Sequence, residues 1–268
     1  MTCIPCRNLN RLLKQLRLSG ILDSLVARNQ QAIQSKLAYT DFLALLIQDE
    51  VARRDQRQFA QRLRKAQVSG DKTLERFDYA HSPSVNHALI AELGTCRFVT
   101  EHAPVLIAGP TGTGKSHLVQ AICHCALRAG YDVLFITHNR LLGLLHAAKA
   151  TNTYDRKLQQ LAKIDVIAID DFGLRPMRSP QDEDFHELIA ERYEKKATLV
   201  TSNLAFDEWG AAFPNKLMGA ATIDRLRDGA YRIELDGDTR RKPRPHPMPS
   251  DATSKAGNTG SPQAAACG

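Results

Sequence analysis

The sequence has no apolar run approaching the roughly 20 residues that a helix needs to cross a bilayer, which sets membrane-spanning functions aside. It opens with no secretory leader, which points to the cytoplasm and to thiols kept reduced. Its six cysteines, Cys3, Cys6, Cys96, Cys123, Cys125 and Cys267, include one CxxC, Cys3-Ile-Pro-Cys6, and no second pair. A four-cysteine zinc site would need that second pair. Residues 237–268 contain no Leu, Ile, Val or aromatic residue but hold five of the twelve prolines. Such a tail cannot bury a core and is expected to be solvated and disordered, rather than a nucleic-acid contact through Arg240–Lys242.

An excess of acid is also missing. The chain carries 36 Lys and Arg against 29 Asp and Glu, a net charge of +7. The imbalance is local: residues 1–67 hold twelve basic and five acidic side chains, while 68–268 hold twenty-four of each. That asymmetry points to a polyanion partner for the first segment. Leu9, Leu12, Leu13 and Leu16 recur at helical spacing, a break is expected near Ser19-Gly20, and Thr40-Asp41 opens a long second helix. On that helix Arg53, Arg57 and Arg64 share one side, with Arg54 and Lys65 nearby, and Phe59 and Leu63 lie opposite. An ordinary solvated basic face has the same pattern. With the charge segregated here, phosphate-backbone contacts with nucleic acid are expected, salt-dependent and mostly blind to sequence.

The strongest motif is GPTGTGKS, residues 109–116, after the apolar run Val105–Ala108 and before a helical pattern over Lys115–Leu127. Its spacing is G-x-x-x-x-G-K-S. Glycines at 109, 112 and 114 let backbone N–H groups approach a phosphate, and the positive end of the following helix adds to that anion site. Lys115 is placed to reach the β- and γ-phosphates, and Ser116 to put a hydroxyl on Mg²⁺. Gly109, Pro110, Thr111, Gly112, Thr113, Gly114, Lys115, Ser116 and His117 are therefore the expected nucleotide-binding residues.

Beyond the motif, strand and helix signals alternate. The expected strands are Val105–Ala108, Val133–Thr137, Val166–Asp170, Thr198–Ser202 and Arg232–Leu235. Between them lie helical patterns at Leu141–Ala148, Asp155–Ala162 and Asp184–Lys195. Short apolar strands alternating with helices predict an α/β domain whose parallel sheet is covered on both faces. The chain is thus divided into a basic helical segment (1–67), a linker with a helical pattern over Val85–Val99 and a turn at His81–Ser84 (68–104), the α/β domain (105–236) and the tail (237–268).

Three strand ends carry chemistry. VIAIDDFG, residues 166–173, runs from a buried strand into two acids. Asp170 is placed to hold Mg²⁺ and Asp171 to polarise the attacking water, because phosphoryl transfer depends on positioning and charge. Asp171-Phe172-Gly173 is not read as a kinase signature, since the glycine pattern is wrong and no H-R-D loop is present. ATLVTSN ends at Asn203, a candidate to orient water or sense the γ-phosphate. Arg225 and Arg227 stand just before the last strand, where an arginine can reach a neighbouring subunit's nucleotide.

Together GPTGTGKSHL, VIAIDDFGLRPM, ERYEKKATLVTSN with Trp209 after it, and IDRL resemble the IstB-like ATP-binding proteins, helpers encoded beside the transposase in one group of bacterial insertion sequences. LLKQLRLSGILDSL, RRDQRQFAQRLRKAQ, FDY and CRFV extend the likeness over residues 8–236. The resemblance implies an AAA+ P-loop ATPase with a five-stranded parallel sheet, behind a small all-helical DNA-binding domain and related to DnaC-type helicase loaders. It implies a protein that binds ATP and Mg²⁺, assembles as a homo-oligomer on double-stranded DNA, and assists a partner transposase. By position, Lys115 and Ser116 serve phosphate and Mg²⁺, Asp170 is the metal carboxylate, Asp171 the water-side acid, Asn203 the sensor and Arg225 the finger acting in trans. Many AAA+ proteins have Glu where this chain has Asp171, so slow hydrolysis is expected. The family usually ends its core with Gly-x-Ser-aromatic-Arg, where this chain has Gly237-Asp238-Thr239-Arg240. With no substantial C-terminal lid after Leu235, a neighbour is expected to complete the pocket. Two alternatives are a replicative helicase loader and a nucleotide-gated module without turnover.

Overall fold

A computed structural model describes residues 4–79 and 85–236. Cys3 of the CxxC pair, the turn expected at His81–Ser84 and the tail from Gly237, with Arg240, lie outside the described residues.

Three helices come first: α1 (Ile4–Gln15), α2 (Ser19–Ser35) and α3 (Tyr39–Ala66). The expected break at Ser19-Gly20 lies earlier. Arg17 takes the left-handed turn at φ 57, and Ser19 already opens α2. Gly20 serves packing instead, since a Cβ there would lie 2.7 Å from Glu50 Cα. It lets α2 and α3 approach. Their shared core is small: Leu13, Ile21 and Leu46 are buried, with Leu18, Leu22, Leu25 and Phe42 around them. The far end of α3 does different work. Ala66 and Val68 are buried with the α/β body, and Phe59 and Leu63 pack against the same cluster.

Among the described residues the helical pattern over Val85–Val99 forms two short α-helices, α4 (His87–Gly94) and α5 (Arg97–Thr100), after a 3-10 turn at Leu74–Arg76. Asn86 caps α4, its Oδ1 accepting from the Ala88 and Leu89 N–H groups at 3.0 and 3.3 Å. Cys96 at φ 63 separates the two helices.

The body alternates as expected: β1 (Val105–Ala108), α6 (Lys115–Arg128), β2 (Val133–Thr137), α7 (His138–Ala150), α8 (Tyr154–Ala162), β3 (Val166–Phe172), α9 (Gln181–Arg192), β4 (Ala197–Ser202), α10 (Lys216–Arg227) and β5 (Tyr231–Glu234). The strands form one sheet, all parallel, in the order β2-β3-β4-β1-β5. Alternate residues feed opposite layers. Val105, Ile107, Val166 and Ala168 join α6 and the linker in one core, and Leu106, Ile167 and Ile169 join α7 to α10 in the other. Burial on both faces explains why these strands read as continuous apolar runs. Because β1 sits between β4 and β5, the chain leaves its tip toward the distant β2, and this opens a crevice at the carboxyl ends of the strands. Among the described residues no helix follows β5, and none is long and apolar enough to cross a membrane.

Candidate nucleotide site

The loop from β1 to α6 leaves the sheet hard against the end of β5. Leu235 N–H donates to the Ala108 carbonyl at 2.8 Å. Gly109 lies at φ 148, and a Cβ there would stand 2.1 Å from the Leu235 carbonyl oxygen. Only glycine fits between those two backbones. Gly114, at φ 100, turns the chain into α6, so the first N–H groups of that helix face the crevice. Thr113 is buried and ties the loop to itself, its Oγ1 donating to the Pro110 carbonyl at 2.9 Å; Pro110 and Thr111 are exposed at the rim. Lys115 is buried on the first turn of α6, and its Nζ donates to the Gly109 and Pro110 carbonyls, each at 2.6 Å. A buried ammonium on such a short tether is well placed for a phosphate oxygen.

The tips of β3 and β4 meet this loop. Ser116 Oγ donates to Asp170 Oδ1 at 3.1 Å, joining α6 to the end of β3. Asp170 is 5 % exposed. The buried Thr201 on β4 donates to the same Oδ1, and its hydroxyl accepts from the Asp171 N–H at 3.2 Å. Asp171 is turned to φ 57. The aromatic ring of Phe172 is buried beneath the two acids, with ring centroids 5.0 Å from Trp209 and 5.5 Å from Phe185. His138 completes that layer at 5.0 Å from Phe172, with no partner for either ring nitrogen. Burial pushes its pKa down to about 4. At the tip of β4, Ser202 Oγ donates to the Phe172 carbonyl at 2.8 Å and accepts from Leu204 N–H at 3.0 Å. Ala108 and Ser202 are paired, so the half-buried Asn203 follows at the level of Gly109.

The donors at the loop are a hydroxyl and a carboxylate, a set that suits the oxygen-only shell of Mg²⁺ completed by phosphate and water. Among the described residues no group of three or more His, Cys, Asp and Glu could hold a metal ion.

The other expected residues are placed differently. His117 turns its ring toward the linker: Nε2 lies 3.2 Å from the Thr73 carbonyl, and the ring meets Phe77 edge-on at 5.6 Å. Phe77 in turn contacts Tyr79, which stacks on His87 at 4.4 Å. Arg225 lies at the opposite end of the strands from its own phosphate loop. It lines a cavity of about 350 Å³ with Glu101, Pro104, Arg192, Thr198 and Gly229, residues that precede or open β1, β4 and β5. Its one hydrogen bond is local, to the Ala221 carbonyl at 3.1 Å. Arg227 is tied down to the Phe206 carbonyl. On α3, Arg53 holds the Ser19 carbonyl at 3.1 Å and pairs with Asp23, Arg54 pairs with Glu50 at 2.8 Å, and Lys65 lies 3.6 Å from Asp132. Arg57 and Arg64 are exposed, Arg64 bonding only back to Ala60.

Sequence reasoning missed Thr201, although a threonine inside an apolar strand was a visible signal. It also missed the contact of Gly109 with Leu235, which only the sheet order brings about.

The sequence model of the IstB-like ATP binding proteins matches residues 11–246. The chain belongs to this family. A protein of Mycobacterium tuberculosis named for ATP binding and for its insertion sequence is 34% identical over 246 residues, covering 91% of this chain and 97% of its own. A similarly named protein of Pseudomonas aeruginosa is 35% identical, covering 85% of both chains. Among solved structures, the replication initiator DnaA bound to AMPPCP and single-stranded DNA aligns with a TM-score of 0.53 at 20% identity, over 64% of this chain and 51% of that one. DnaI aligns with a TM-score of 0.51 at 23% identity, over 61% of this chain and 90% of that one. The shared architecture is the AAA+ P-loop α/β fold.

Proposed function

We propose that this protein is a Mg²⁺-dependent ATPase that assembles as a homo-oligomer on double-stranded DNA and assists a partner transposase in choosing its target, in the cytoplasm. The observation that carries the reading is the Ser116–Asp170–Thr201 chain of hydrogen bonds, which joins the phosphate loop to the acid pair at the crevice. The names of the similar insertion-sequence proteins support the link to transposition and to ATP.

In this reading Gly109 to His117 bind ATP, the ammonium of Lys115 exchanges its loop carbonyls for phosphate oxygens, and Ser116 with Asp170 holds Mg²⁺. The metal supplies charge neutralisation at the β- and γ-phosphates. Asp171 orients the attacking water, and Asn203 sits where the γ-phosphate is sensed. Asp is one methylene shorter than Glu, so turnover is slow. Arg225 serves a neighbour's nucleotide. β1 alone is about 13 Å long, and Arg225 stands at the wrong end of it for its own site. Its light tethering, against the fixed Arg227, favours it as the finger. Residues 1–67 form the DNA-binding segment, with Arg53, Arg54, Arg57, Arg64 and Lys65 along its basic side. The surplus of positive charge there favours a polyanion over a protein partner such as a helicase.

Phosphate release by the full chain, with and without duplex DNA, tests turnover, and mixing tests the finger. Lys115→Ala and Arg225→Ala are each expected to lose hydrolysis by roughly 100-fold or more. An equal mixture regains activity, because the first supplies Arg225 to the intact loop of the second. Native turnover by Arg225→Ala alone would place the finger elsewhere. No phosphate release under any condition would contradict an ATPase.

A further inference from the structure

Thr201 has 0% exposure near the end of β4, one residue before its last, where it follows the apolar Leu199 and Val200. A buried hydroxyl is costly unless bonded, and valine would serve the strand equally well. The hydroxyl therefore needs its own reason, and the register supplies one. The β3–β4 ladder pairs Ile169 with Val200 and resumes at Phe172 with Ser202, so Asp170 and Asp171 together oppose Thr201 alone. This is a bulge, and a bulge leaves a backbone group out of the ladder. Asp171, in the left-handed region at φ 57, is the turned residue, and its N–H goes to the Thr201 hydroxyl. The proton of that hydroxyl goes to Asp170 Oδ1, the oxygen that also receives Ser116 Oγ. In a regular strand Asp170 and Asp171 would point to opposite faces of the sheet. The bulge breaks that alternation where the strand reaches the crevice, and Thr201 braces it from the neighbouring strand.

We propose that Thr201 is a positioning residue: one hydroxyl fixes the orientation of the metal carboxylate Asp170 and the turned backbone of Asp171, and so sets the affinity for the divalent cation that accompanies the nucleotide. This rests on the Mg²⁺-ATP reading above. Partners that orient a ligating carboxylate from behind are worth roughly 10- to 100-fold in metal affinity. A merely structural threonine would affect stability and nucleotide binding alike, with or without metal.

The test is titration of the full chain with a fluorescent ATP analogue, first in EDTA and then across a Mg²⁺ series, with the thermal midpoint of each variant recorded. Thr201→Val and Thr201→Ala are expected to keep the metal-free nucleotide affinity within about twofold while raising the half-saturating Mg²⁺ concentration by roughly tenfold or more. Thr201→Ser keeps the hydroxyl and restores the native value. The proposal is overturned if folded Thr201→Val and Thr201→Ala titrate with Mg²⁺ like the native chain. It is overturned equally if Thr201→Ser behaves like them, or if only the valine variant is impaired, because the methyl groups would then be responsible. A native chain whose nucleotide binding ignores Mg²⁺ would instead contradict the metal reading itself, and the role of Thr201 with it.

Discussion

At the carboxyl ends of β1, β3 and β4 three groups at the phosphate loop are fixed by backbone or by a buried partner: Gly109 against Leu235, Lys115 on two carbonyls, Asp170 under two hydroxyls. Around α1 to α3 the reverse holds. Three buried residues, Leu13, Ile21 and Leu46, form the core, while Leu9, Leu12, Leu16, Val26, Ile33, Leu43, Ile47 and Val51 are exposed. Much of what holds α2 to α3 is charge. Glu50 accepts from the Gly20 N–H at 2.6 Å and from Arg54, and Arg28 grips Asp49 at 2.8 Å through two nitrogens. One region is built to hold a few atoms still. The other presents a surface through side chains that can exchange partners.

The largest effect expected from breaking this contrast is at Gly109. Gly109→Ala forces a Cβ into the Leu235 carbonyl, and a clash worth several kcal/mol should lower the thermal midpoint by about 10 °C and abolish nucleotide binding; calorimetry with and without ATP reads both. The two regions should also separate by pH. The unfolded His138 takes up a proton below its ordinary pKa near 6.5, while the buried ring resists down to about 4. Its contribution is thus complete above about 6.5 and is lost as pH falls toward 4, a change of about 3 kcal/mol. His138→Phe should flatten that slope in denaturant titrations of the α/β body. The helical layer should hold to lower pH. Hydrogen bonds from Arg28 and Ser24 hold Asp49 at about 2. Burial pushes Glu50 up, but the bonds from Arg54, Gly20 and Ile21 outweigh it and leave the pKa lowered. Both carboxylates favour the fold above their ordinary range near 4 and lose that effect as pH falls below it, Asp49 down to about 2, which amide exchange in α2 would follow. The smallest effects distinguish the arginines. Arg57→Ala with Arg64→Ala should weaken duplex binding at every sequence and reduce the salt slope by about 2. Arg53→Ala should mainly loosen α2, because its guanidinium already holds Ser19 and Asp23.

How far the sequence could be read follows the same division. The five strands were legible because burial on both faces leaves a continuous apolar run, and their ends agree with the expected ones to within two residues. The phosphate loop and the acid pair were legible because the chemistry constrains spacing along one segment. What was hidden depends on contacts between distant segments. The glycine at position 20 reads as a breaker but is there to admit Glu50. The threonine at 201 reads as one more β-branched residue until the bulge at Asp171 shows what its hydroxyl holds. The basic side of α3 is legible as charge, while the commitment of Arg53 and Arg54 to neighbouring groups is not.

The central claim is that nucleotide captured at one subunit's crevice, completed by the next subunit, governs assembly on duplex DNA. Its most direct test is the particle mass of the full chain on duplex DNA with ATP, with ADP and without nucleotide, for the native protein and Lys115→Ala. Large particles with ATP for the native chain alone are the expected result. Equal particle sizes for Lys115→Ala, or sizes indifferent to the nucleotide, would contradict the account.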